Sequence, residues 1–141
     1  KTYSGAAFKI RLPGRVANLK HIANAHTDGD TYVWFKTANV LATGDTFTNG
    51  RYPNIDFANG GNIKGMIAAT DAYLKLTNAR SRIVPGHGPV MTDHAYTRAV
   101  RELIETTLTR IETLVRAGRN LAGAQHNMGA RLEPIGHLGE V

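Results

Sequence analysis

With 141 residues, no cysteine, 42% apolar and 20% charged residues, the chain has the size and composition of one folded domain built without disulfides or thiolate metal sites. Its net charge of +6 is scattered over Lys9, Arg11, Arg15, Lys20, Arg98, Arg101, Arg110, Arg116 and Arg119, with no basic run and no aromatic–basic pattern, which disfavours a nucleic-acid partner. No stretch approaches the roughly 20 consecutive apolar residues that cross a bilayer, so the chain reads as soluble, in cytoplasm or periplasm.

Phe8, Ile10 and Leu12 alternate with Lys9 and Arg11, which predicts a strand over 6–12. Pro13-Gly14 marks a turn, and Val16 to Ile22 reads as the return strand of a hairpin. The loop 24–30 carries His26-Thr27-Asp28-Gly29-Asp30, and Thr31-Tyr32-Val33-Trp34-Phe35 is a strand by its β-branched and aromatic content. A short strand, Val40-Leu41-Ala42, ends in Thr43-Gly44-Asp45. Residues 46–61 are rich in Gly, Pro, Asn and Asp and read as one long loop of the kind that forms functional rims.

Beyond it the period becomes helical. Ile63, Met66, Ile67, Thr70, Tyr73 and Leu74 share a face, with Asn62 as N-cap. Arg82-Ile83-Val84 is a short strand that stops at Pro85 and delivers His87 between two glycines. A second helix spans about 93–117, with Val100, Leu103, Ile104, Leu108, Ile111, Leu114 and Val115 as its apolar stripe. Its polar faces carry pairs four apart, Arg98–Glu102, Arg101–Glu105 and Glu112–Arg116, and Gly118 stands at its stop. The order predicts an α+β layer, a sheet with helices on one face, over residues 1–118; residues 119–141 read as an irregular tail, short helix plus coil.

His26, Asp45 and His87 each stand at a predicted strand end beside glycine. Imidazole and carboxylate together form a zinc-competent set, but such residues also cap turns, and long-range spacing alone leaves both readings open. Asp28 and Asp30 are loop formers that bond nearby amides. His21, His94, His126 and His137 read as surface or packing residues.

His26-Thr27-Asp28-Gly29-Asp30, Val40-Leu41-Ala42-Thr43-Gly44-Asp45 and Ile83-Val84-Pro85-Gly86-His87-Gly88-Pro89 together resemble three consecutive motifs of the metallo-β-lactamase superfamily. The resemblance implies the second half of an αβ/βα sandwich, with a mixed or antiparallel sheet. It makes His26 a ligand of one metal, Asp45 a bridge between two and His87 a ligand of the second, with the zinc pair activating water and polarising a scissile carbonyl or phosphoryl group. Asp at the bridging position resembles the glyoxalase-II-like branch, which implies ester, thioester or lactone substrates. The rim that holds them would include Asn49, Arg51 and Tyr52 of the 46–61 loop.

The chain departs from that pattern in one respect. No His-x-His-x-Asp-His run precedes His26, so the N-terminal half of the site is not among these residues. Two protein ligands per ion fall short of the three a catalytic zinc takes, so the chain alone is expected to bind zinc weakly, or to gather one ion with all three ligands. Standard catalysis then needs a complementary first half. The same departure leaves one apolar sheet face bare, with inward residues among Tyr32, Val33, Trp34 and Phe35. An N-terminal half or a second copy in a two-fold dimer is the expected cover. The alternative is a stand-alone, non-catalytic homodimeric module.

Overall fold

The computed structural model describes residues 3–119. The reading of the tail, with His126 and His137, falls on residues 120–141 and lies outside the described residues. Five strands, two helices and a short 3-10 turn follow one another as β1 (Ala7–Leu12), β2 (Arg15–Ile22), β3 (Asp30–Phe35), β4 (Val40–Thr48), the turn Phe57–Asn59, α1 (Ile63–Leu76), β5 (Arg82–His87) and α2 (His94–Arg116).

The strands form one sheet in chain order. β1 to β4 are antiparallel, and β4 and β5 are parallel. Antiparallel neighbours can be joined by tight turns, whereas a parallel pair needs a crossover; α1 supplies it. Each helix begins where a side chain satisfies a free amide, Asn62 capping Lys64 N and Asp93 capping Ala95 N. α2 ends before Gly118, whose φ of +69° suits glycine. Arg101 of α2 ties the helices together, bonding Asp71 of α1 at 2.5 Å and Glu105 one turn on. Of the pairs expected along α2, Arg101–Glu105 and Glu112–Arg116 form.

Register divides the sheet into two unlike faces. Ile22, Tyr32, Trp34, Leu41, Thr43 and Ile83 point to the helices and are buried. All but the polar Thr43 join Phe47, Met66, Ala69, Tyr73, Val100 and Ile104 in the hydrophobic core. Removing a side chain such as Tyr73, Phe47 or Leu41 from water contributes roughly 1.5–3 kcal/mol each. Tyr73 stands at the centre, edge-on to Tyr32 and Phe47. The Thr46 hydroxyl donates to Thr43 O at 2.8 Å, so its short contact with the Tyr73 hydroxyl is one in which Tyr73 donates.

The opposite face carries Phe8, Ile10 and Leu12 of β1, then Leu19, Val33, Phe35, Val40, Ala42 and Val84, matched across the strands by their pairing. No described element lies over it. Phe8, Ile10 and Leu12 are 49%, 41% and 55% exposed. A bare apolar face is therefore present, but the expectation for β3 needs correction. Tyr32 and Trp34 lie on the helix-covered face and are buried; Val33 and Phe35 lie on the bare one. Two further boundaries shift. β4 runs through to Thr48 instead of stopping at Ala42, and β5 continues through Pro85 to His87. The long loop accordingly starts after Thr48.

A candidate metal centre at the sheet edge

β4 continues past Ala42 because Gly44 takes φ +59°, a left-handed conformation that breaks strand pairing without ending the strand. The register with β5 slips on both sides of Gly44, and Asp45 emerges at the slip, its side chain 46% exposed. β5 arrives alongside. Gly86 passes so close that a Cβ there would stand 2.2 Å from Asp45 Oδ1 and 2.6 Å from the Gly44 carbonyl carbon. Only glycine leaves room for the carboxylate.

The His26 loop closes on itself through Asp30, whose carboxylate accepts from Thr27 N at 2.8 Å and from the Thr27 hydroxyl at 3.1 Å. Asp30 is thus the loop former expected of it. His26 is then fixed from the other side by the extended stretch 52–56. Asp56 N donates to His26 O at 2.9 Å, and His26 Nδ1 lies 3.0 Å from Asn54 O. A carbonyl only accepts, so Nδ1 carries the hydrogen and Nε2 is the ring atom left for the site. Asp56 is itself anchored: the Asn59 side chain and main chain hold its carboxyl below the usual range, with the nearby His26 adding to the effect.

The three expected ligands meet pairwise on one carboxylate. His26 Nε2 is 3.7 Å from Asp45 Oδ2, and His87 Nε2 is 3.3 Å from Asp45 Oδ1. Each imidazole has its own oxygen. A neutral His26 presents a lone pair to a carboxylate oxygen, which is repulsive unless positive charge stands between them as a proton or a metal ion. The donors fit zinc in chemical type and, for His26, in tautomer. They do not fit in number: among the described residues no group of three or more His, Cys, Asp or Glu is placed to hold a metal ion. The expectation that all three could gather a single ion is not the arrangement found.

The rim residues differ from one another. Asn49 is half-buried and engaged with the His87 turn, its N–H donating to His87 O at 2.9 Å and its side chain to Pro89 O at 3.0 Å. Arg51 and Tyr52 are exposed. His21 bonds Asp28 O at 2.5 Å, and neither His21 nor His94 joins the Asp45 cluster. Sequence reasoning missed the Asn54 carbonyl that orients His26, and Tyr96, whose hydroxyl accepts from Gly50 N at 2.8 Å. Main-chain partners leave no trace in residue identity; Tyr96 follows the His87 motif and could be found only as an aromatic on the helix face below it.

No protein-family model matches the chain, and no curated protein does. Solved structures do. The chain is similar to a metallo-β-lactamase from Pontibacter korlensis, with a TM-score of 0.61 and 16% identity over 74% of this chain and 47% of that one. It is similar to a metallo-β-lactamase family protein from Thermus thermophilus, with a TM-score of 0.59 and 20% identity over 78% and 36%. The stereoselective inverting sec-alkylsulfatase Pisa1 from Pseudomonas sp. gives a TM-score of 0.70 and 16% identity over 93% and 21%. The chain thus spans about half the length of the first of these structures, or less in the other two. Among the described residues no helix is long and apolar enough to cross a membrane. At such identities likeness establishes architecture, and the architecture is that of part of a metallo-β-lactamase-fold domain, a mixed sheet with helices on one face.

Proposed function

We propose that this chain supplies the C-terminal half of a metal-dependent hydrolase site, with His26 and Asp45 serving one zinc ion and Asp45 and His87 a second. The observation that carries the reading is the Asp45 carboxylate facing a different imidazole Nε2 with each oxygen, 3.7 Å and 3.3 Å away. Zinc, when bound, supplies an activated water and polarises the group to be cleaved. The chain's own residues orient the donors: Asn54 O fixes the His26 tautomer, Gly86 makes room for Asp45, and Asn49 holds the turn that carries His87. Two donors per ion require the rest from an N-terminal half, and the bare apolar sheet face supports the reading that such a half packs there. Asp rather than Cys at the bridge supports glyoxalase-II-like chemistry on esters, thioesters or lactones, approached over Asn49, Arg51 and Tyr52.

Calorimetric titration of zinc into the chain tests this reading. Binding is expected to be weak and to fall about ten- to hundredfold or more in Asp45→Asn and in His87→Ala. Zinc affinity indifferent to both substitutions overturns it.

A second reading rests on the exposure of Phe8, Ile10 and Leu12, at 41–55%. Here the face is covered by another copy, and the chain is a non-catalytic homodimeric module. A stable, zinc-free dimer that Ile10→Ser dissociates would favour this second reading over the first.

A further inference from the structure

The stretch 52–56 has two sides. Asn54 and Asp56 face His26, as above; Tyr52, Pro53 and Ile55 face away, toward the helices. There they wall a half-open pocket of about 200 Å³ with Ile63 of α1 and Leu103, Ile104 and Thr107 of α2. The lining residues are apolar except that Tyr52 and Thr107 each carry a hydroxyl. Such a space is too small for a helix or strand from another chain. An enclosed apolar cavity of roughly 150 Å³ takes a benzene-sized molecule, and this open pocket has room for one ring or a short alkyl chain with a single polar end.

We propose that this cavity is a binding site for a small apolar molecule bearing one hydroxyl or carbonyl, and that its occupancy is transmitted to His26. Both sides belong to the same few residues of main chain. A ligand seated there touches Pro53 and Ile55, the two neighbours of Asn54, whose carbonyl is the group that holds the His26 ring. The binding step stands without any metal; only its consequence for hydrolysis rests on the function proposed above.

The test uses n-hexanol with the full chain, free of metal, followed by methyl and imidazole NMR. Saturable shifts are expected at the methyls of Ile55, Ile63, Leu103 and Ile104, with the His26 ring signals moving along the same binding curve. Leu103→Phe, at a half-buried position, should weaken binding at least tenfold by filling the space. Tyr52→Ala, on the exposed rim, should weaken it about threefold without disturbing the fold. The site is disproved if the shifts fall instead on Ile10, Leu12 and Leu19 of the bare face, or if neither substitution alters binding. Shifts at the cavity with a still His26 ring overturn the transmission. Because zinc is absent, failure of the zinc titration leaves these outcomes readable.

Discussion

The two faces of this sheet are built from similar residues and meet different fates. On one, Tyr32, Trp34, Leu41 and Ile83 are sealed under α1 and α2. On the other, Phe8, Ile10, Leu12 and Val84 meet solvent. Composition cannot explain the difference, since apolar side chains populate both. Connectivity does: α1 and α2 fold onto one side, whereas no described helix or strand covers the other, where Tyr3 stacks on Phe8 and its hydroxyl meets that of Thr31. Apolar side chains on such a face contribute little to stability while they remain in water.

The sharpest way to break the comparison is to truncate the covered face. Leu41→Ala should cost about 2–5 kcal/mol in urea unfolding, because the cavity under the helices cannot collapse. Next comes the edge where the faces meet the candidate site. Gly86→Ala forces a methyl into Asp45 and the Gly44 main chain, and should cost about 1–3 kcal/mol while displacing the carboxylate. An unchanged urea midpoint and unmoved Asp45 signals would refute that packing argument.

Tyr73→Phe removes a buried donor from Thr46 and should cost about 1 kcal/mol at neutral pH. Burial raises the pKa of Tyr73 and of Tyr32 above the ordinary tyrosine value of 10.0. The folded chain therefore keeps protons that the unfolded chain sheds. Stability is undiminished by this linkage below about pH 10 and falls as pH rises beyond it. The variant should lose less of its stability over that alkaline range, and equal alkaline losses would contradict the assignment. Smallest of all, Leu12→Ser on the bare face should change the stability of the uncovered chain by no more than about 0.5 kcal/mol. A larger loss in dilute solution would mean the face is already covered.

These contrasts also show what could be read from residues alone. The turns bearing His26 and His87 were legible because glycine lies beside each, although Pro85, read as a stop, lies inside β5; both helices were legible because their apolar period is regular. The facing of β3 was not: Thr31-Tyr32-Val33-Trp34-Phe35 is apolar on both parities, so alternation offers no preferred side, and only pairing with β2 and β4 selects Tyr32 and Trp34 for the core. Gly44 read as a terminator, whereas its positive φ lets β4 bend and continue. The convergence of His26, Asp45 and His87 was suggested by motif order, but the division of the Asp45 oxygens between two rings follows from strand register, which spacing does not encode.

Asn49 binds the turn of His87 by main chain and side chain, Gly88 lies so close that a Cβ would stand 2.2 Å from Asn49 O, and Gly50 is pinned to Tyr96. Segments 49–50 and 87–89 are therefore one opening unit, although 36 residues of intervening chain separate Gly50 from His87. In amide exchange their protection should rise and fall together, at one common opening free energy. Whatever loosens the loop after β4 will release His87 in the same event.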